Sequence, residues 1–141
     1  MKHLKLLVIA TLIMLAVSAC SRMESSQIDM GHFHGAWQEY FGPGYRVEGS
    51  RTWYISDEII RVVTYDWYSD TTWEWNIDYS LDQKSGKYMV FLHYPESLGK
   101  EDESYDIVKL TDEEMIWHYA GLSEDATRHF VNSKYWQTHD E

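Results

Sequence analysis

The chain has little cysteine, little proline and few cations, and each shortage excludes something. One cysteine in 141 residues rules out an internal disulfide, so the fold rests on a packed core. Two prolines and eight glycines exclude collagen-like and low-complexity architectures. Twelve Lys and Arg against 23 Asp and Glu give a net charge of −11, which disfavours nucleic acid and anionic head groups as partners. There is no Gly-x-Ser-x-Gly elbow, no phosphate-cradling glycine loop and no His-Glu-x-x-His, so the chain is expected not to be an enzyme and to need no cofactor. The carboxylate pairs Asp57-Glu58, Asp102-Glu103 and Glu113-Glu114 fall where turns are expected and read as solvated charge. No amphipathic helix of useful length and no internal repeat is evident.

Aromatic residues are abundant instead. Seven Trp, eleven Tyr and four Phe all follow residue 32, and such residues favour pleated, half-buried strands.

The first residues follow a different pattern. Lys2, His3 and Lys5 precede the apolar run Leu6 to Val17 and then Ser18-Ala19-Cys20. An apolar run of that length is too short to span about 30 Å of hydrocarbon, and a small-residue cleavage site follows it. Residues 1–19 therefore read as a signal peptide. Val17-Ser18-Ala19-Cys20 resembles the lipobox of bacterial lipoproteins, which implies lipidation (palmitate among the acyl chains) at Cys20 and a membrane anchor. Ser21, not Asp, follows the cysteine, which points to the outer membrane of a diderm cell envelope. Removing 19 residues leaves 122 residues, enough for one domain, and the loss of Lys2 and Lys5 makes that remainder −13. Residues 20–31 read as the lipidated cysteine and a flexible tether with one turn near Ile28-Asp29-Met30, and residues 32–141 as the domain.

The clearest periodic segment is Thr72 to Leu81. Trp73, Trp75, Ile77, Tyr79 and Leu81 alternate with Glu74, Asn76, Asp78 and Ser80, the pattern of an antiparallel strand with one buried face. Further strands are expected over Ala36 to Phe41, Tyr45 to Ile55 with Gly49 as a bulge or bend, Glu58 to Tyr68, Tyr88 to Tyr94, Ser104 to Leu110, Met115 to Ala120 and Thr127 to Trp136. Gly42-Pro43-Gly44 would form the first turn, and Asp82 to Lys87 a hairpin. Eight strands at about 13 residues each fit an all-β meander closing on itself, an eight-stranded antiparallel up-and-down barrel.

Gly35-x-Trp37 before the first strand, the meander, Arg128 on the last strand and Tyr105 to Tyr119 as the penultimate hairpin together resemble the lipocalin-like (calycin-type) lipoproteins of Gram-negative bacteria. The resemblance implies that Gly35 and Trp37 close one end of the barrel, with Arg128 packed across the Trp37 ring as a cation–π contact. It also implies a small apolar or amphipathic ligand in the barrel. The chain is shorter than most members and lacks their central aspartate-tyrosine motif, which argues against a large cavity.

An eight-stranded barrel is either filled by its side chains or holds one small ligand. The residues expected to face inward, Val63 among them, are mostly bulky. Trp53, Tyr65, Trp67, Trp73, Trp75, Tyr79, Trp117 and Tyr119 are the ligand-lining candidates. The competing reading is a filled barrel that contacts an envelope protein or inhibits a basic one such as a lysozyme; Ser85-Gly86-Lys87-Tyr88 is faintly like the loop of lysozyme inhibitors. His32 and His34 are weak metal candidates, since a stable site needs a third and fourth ligand.

Overall fold

A computed structural model describes residues 28–41, 49–120 and 126–136. The signal peptide, Cys20 and the Gly42-Pro43-Gly44 turn lie outside the described residues. Eight strands follow one another: β1 Gly35–Tyr40, β2 Gly49–Ile55, β3 Ile59–Asp66, β4 Thr71–Lys84, β5 Lys87–His93, β6 Glu103–Leu110, β7 Glu114–Tyr119 and β8 Thr127–Asn132. Each pairs antiparallel with the next, and β1 pairs with β8, so the sheet closes into the expected up-and-down barrel. Closure leaves no sheet edge to aggregate.

The register shows why these residues fold this way. Trp53 lies opposite Trp37 and Val62, and Val62 opposite Trp75. Paired residues share a face, so this rung points inward, and Trp37, Trp53 and Val62 are buried. The next inward rung of the same strands is Ile55, Ile60 and Ile77, also buried. Outside, β4 presents Glu74, Asn76, Asp78, Ser80 and Asp82, all exposed. A polar wall around an apolar interior is the reverse of the lipid-facing band of a membrane-spanning barrel.

One expectation fails on β3. Val63 and Tyr65 face outward, because the inward positions are Ile60, Val62 and Thr64. The stretch Ile59-Ile60-Arg61-Val62-Val63 carries apolar residues on both parities, and a one-residue slip exchanges the faces. Trp67 lies beyond the end of β3, in the turn to β4. A second irregularity is in β6, where the register shifts between Ile107 and Lys109 and Val108 is left bulged and exposed.

The end of the barrel at Leu110 is closed by the N-terminal segment. Ile28 bridges Leu110, the Asp29 N–H donates to the Leu110 carbonyl at 3.0 Å, and a single 3₁₀ turn, Met30–His32, is capped by the Asp29 carboxylate. Ile28 and Met30 pack against the core. The domain thus begins by residue 28, four residues before the boundary expected from composition. Phe33, fully buried, stacks near Trp117 at 6.2 Å, and the Trp37 indole N–H donates to the Phe33 carbonyl at 3.1 Å. Gly35 adopts φ +142°, a conformation that L side chains rarely reach. Gly49 has another role: a Cβ there would lie 1.9 Å from the Tyr65 carbonyl oxygen.

Candidate functional site

The turns β3–β4 and β5–β6, the end of β1 and the start of β8 lie together at one end of the barrel, the mouth. Below them the barrel is filled by Phe33, Trp37, Trp117, Met115 and Phe130. Above this floor the inward positions become charged: Glu39 on β1, Arg51 on β2, Glu103 on β6 and Arg128 on β8. Each charge sits two residues from an inward aromatic or apolar residue (Trp37, Trp53, Tyr105, Phe130), so the same alternation that builds the floor delivers them to the mouth.

They form one network. Arg128 donates from Nη1 to Glu39 Oε1 at 2.7 Å, from Nε to the Tyr105 hydroxyl at 2.9 Å and from Nη2 to Glu103 Oε2 at 3.5 Å. Arg51 Nη1 and the Trp53 indole N–H both donate to Glu39 Oε2, at 3.2 and 3.0 Å. The hydroxyls of Tyr94 and Tyr105 each donate to Glu103 Oε2 at 2.8 Å. Glu39 is only 5 % exposed, and a carboxylate so buried is tolerated because two guanidiniums and an indole N–H surround it. Burial opposes the charge on Arg128, but Glu39 and the tyrosine hydroxyls outweigh it and hold its pKa above the ordinary value. Burial likewise opposes the Glu103 charge, yet hydrogen bonds from Tyr94 and Tyr105 and the Arg128 charge bring its carboxyl below the usual range. Desolvation pushes the Tyr105 hydroxyl up to about 12.

This placement corrects the expected closure. The Arg128 guanidinium lies 5.2 Å over the Trp53 ring and 5.4 Å over Tyr105. Trp37 pairs with Asn132, four residues along β8 from Arg128, so about 13 Å of strand separates the two levels. Trp37 lies in the floor, and Arg128 belongs to the mouth.

A recess of about 320 Å³ opens beside this network, lined by Arg51, Trp53, Trp75, Ile77, Tyr94, Leu98, Lys100 and Arg128. A wider one of about 560 Å³ lies across the guanidiniums, against Glu39, Tyr40, Tyr105 and His129. A third, about 210 Å³, sits at the rim between Arg51, Thr64, Tyr65 and Trp73.

The eight sequence-predicted lining residues do not share one chamber. Trp53 and Trp75 line the 320 Å³ recess, and Tyr65 and Trp73 line the rim recess. Tyr65 faces outward and donates to Asp70 at 2.7 Å. Trp67 is 60 % exposed and Trp73 47 %. Trp117 is fully buried in the floor, and Tyr119 stands edge-on to Tyr105 at 5.2 Å. Tyr79 is at the closed end, donating to the Ser56 carbonyl at 2.6 Å. Glu39, Arg51, Tyr94 and Lys100 join the site without having been expected there, and Glu103, expected as solvated charge, turns inward to Arg128. For Glu39, Arg51 and Glu103 the signal is a charge two residues from an aromatic on β1, β2 and β6; Tyr94 and Lys100 carry no such signal.

Two other clusters are structural. His32 Nε2 faces Asp29 at 3.4 Å, whereas His34 Nδ1 faces Asp57 at 3.4 Å and its Nε2 meets the Tyr79 hydroxyl at 3.3 Å. The two rings serve different partners, and among the described residues no three His, Cys, Asp or Glu gather around a common point. On the outer wall, Ser80 Oγ lies 3.4 Å from His93 Nε2, and His93 Nδ1 lies 2.8 Å from Asp102, whose other oxygen accepts the Tyr94 N–H at 3.2 Å. The hydrogen bond from His93 lowers the Asp102 pKa. The hydroxyl–imidazole–carboxylate order resembles a hydrolytic relay. Its members are exposed, and none lines any of the three recesses. The relay staples the β5–β6 loop, which carries Leu98 and Lys100, to the barrel wall.

No family model, no curated protein and no solved structure matches the chain. The functional reading therefore rests on the geometry of the mouth.

Proposed function

We propose that the protein is a lipid-anchored, non-enzymatic binding protein of the bacterial outer membrane that holds a small amphipathic molecule in the barrel mouth. The observation that carries this reading is the 320 Å³ recess with Trp53, Trp75, Ile77 and Leu98 as apolar surface and guanidiniums at its side. Ligand sites are concave, mostly apolar and equipped with a few convergent polar groups. The closed floor sets the depth, so the guest is small and sits near the rim. The anchor is supported by the lipobox-like junction at Cys20.

Titration of the purified protein with octan-1-ol and with Nile red, followed by tryptophan emission and calorimetry, tests the pocket. Saturable binding is expected; no heat and no spectral change from either would end this reading. For the anchor, Cys20→Ala should release the protein from membranes into the soluble fraction, and full membrane retention would count against lipidation.

A contact with an envelope protein is the second reading, favoured by the aromatic tip between β3 and β4, where Trp67 is 60 % and Tyr68 79 % exposed. The inhibitor-like stretch does not add to it. Ser85 and Gly86, both at positive φ, form a two-residue turn of the hairpin, and Tyr88 packs against the core. No loop projects there to enter an enzyme cleft. Trp67→Ser with Tyr68→Ser should abolish capture of a partner from envelope extracts; unchanged capture would refute the role of the tip.

A further inference from the structure

The turn between β3 and β4 joins two paired strands, where Gly, Asn, Asp and Ser satisfy turn geometry best. It carries Trp67 and Tyr68 instead, both exposed. Among the described residues no ring contact and no side-chain hydrogen bond engages either of them. Folding gives no reason for two large aromatic side chains here.

Their backbone is nonetheless held firmly. The Asp66 carboxylate accepts the N–H groups of Tyr68 at 2.8 Å and Ser69 at 3.4 Å, and the Tyr65 hydroxyl donates to Asp70 at 2.7 Å. The Thr71 hydroxyl donates to the Ser69 carbonyl at 3.0 Å. Asp70 has φ +48°, in the left-handed region where Asp and Asn are enriched. The N–H of Tyr68 holds the Asp66 carboxyl below the usual carboxylate range, so it keeps its charge. Aromatic side chains on a stapled turn have less freedom to lose when a partner arrives.

The charge around them is mostly of one sign. Inside the mouth, Arg51 and Arg128 are matched by Glu39 and Glu103. On the described rim, Asp66, Asp70, Glu96, Glu101 and Asp102 stand against Lys100, with His93 beside Asp102. An acidic rim that displays aromatic faces is complementary to cations, because the negative face of each ring and the carboxylates beside it attract the same charge. A guanidinium suits it better than an ammonium, since the planar ion stacks on a ring while its edge donates to a carboxylate.

Building on the second reading above, in which the tip meets a protein, we infer that Trp67 and Tyr68, with Asp66 and Asp70, dock an arginine-bearing cationic protein surface. Guanidiniums of the partner would lie on the two rings, with the two carboxylates as counter-charges. The net charge of −11 would speed the encounter.

Fluorescence anisotropy of dye-labelled octa-arginine, octalysine and octaglutamate tests the inference. Titrations at about 0.15 M salt, where charges more than about 8 Å apart are screened, suppress general attraction to an acidic chain. Octa-arginine is expected to bind about threefold or more tightly than octalysine, and octaglutamate not at all, since an exposed cation–π contact is worth roughly two- to fivefold. Trp67→Ser with Tyr68→Ser should weaken octa-arginine about tenfold and erase its advantage over octalysine. Asp66→Asn with Asp70→Asn keeps the acceptor oxygens of the turn and removes two charges, and should weaken both cationic peptides about two- to fivefold. Asp78→Asn with Asp82→Asn, on the exposed outer wall of β4, should change neither by more than about twofold. Equal affinity for the two cationic peptides, unmoved by the tip substitutions, would overturn the inference. If those substitutions abolish capture of an envelope partner while octa-arginine ignores them, the cation inference falls and the protein-contact reading stands. If neither capture nor peptide binding depends on the tip, both fall.

Discussion

Glu39 joins both guanidiniums of the mouth, and a double-mutant cycle on Glu39 and Arg128 measures how far the network acts as a unit. Their closest N···O distance is 2.7 Å, which at an effective dielectric of ~20 corresponds to a gross attraction of about 6 kcal/mol. Removing both ions from water offsets most of that. The two truncations are unequal. After Arg128→Met, Glu39 keeps Arg51 and the Trp53 indole, and Glu103 keeps two tyrosine hydroxyls, so the loss should be about 2–3 kcal/mol. Glu39→Gln leaves two neighbouring guanidiniums without their shared carboxylate and should cost about 3–4 kcal/mol. The double variant has fewer stranded charges and should lose only about 3–4 kcal/mol, a coupling of about 2–3 kcal/mol. Urea unfolding followed by tryptophan emission resolves such changes, because slopes of roughly 1–3 kcal/mol per molar turn them into midpoint shifts of about 0.7–4 M. Losses that simply add, within about 0.5 kcal/mol, would show that the two residues do not share a network.

Three other outcomes follow from the same geometry. Trp117 is fully buried and its indole nitrogen has no hydrogen-bond partner among the described residues, whereas the Trp37 indole bonds Phe33. Trp117→Phe should therefore cost at least about 1 kcal/mol less than Trp37→Phe in urea titrations; equal costs would contradict this reading. The folded-state pKa of Glu103 lies below its ordinary value, so its contribution to stability is present above the unfolded carboxyl pKa of about 4.3 and is lost as pH falls through the lower folded value. Between pH 5 and 3 the wild-type unfolding midpoint should drop more steeply than that of Glu103→Gln, and parallel curves would refute the assignment. Gly49→Ala forces a Cβ against the Tyr65 carbonyl and should cost about 2 kcal/mol or more, read as a lower melting temperature; an unchanged one would mean that β2 and β3 separate there at no cost.

Strand β4 was legible because its apolar and polar residues keep strict alternation from Trp73 to Leu81, a pattern that only a half-buried strand satisfies. The hairpin after it was equally plain, since Ser85-Gly86 carries turn chemistry between two strong strands. On β3 the local pattern was ambiguous, and long-range pairing with Trp53 and Trp75 decided which face is inside. The candidate site was hardest to read. Glu39, Arg51 and Glu103 look like ordinary surface charges one at a time, and only barrel closure brings residues 39, 51, 103 and 128 to one level. Arg128 was singled out, but its height on β8 depends on the pairing of Trp37 with Asn132, which no local signal encodes.

The bridge between Ile28 and Leu110 fixes where the chain leaves the barrel: at the closed end, opposite the mouth. An acyl anchor on Cys20 would be separated from Ile28 by eight residues, a reach of at most about 29 Å even when fully extended. Under the proposed anchoring, such a leash would keep the floor near the bilayer and turn the opening toward the aqueous space. A guest would then be exchanged with carriers or solutes on that side, and lipids of the leaflet holding the anchor would have no direct path into the recess.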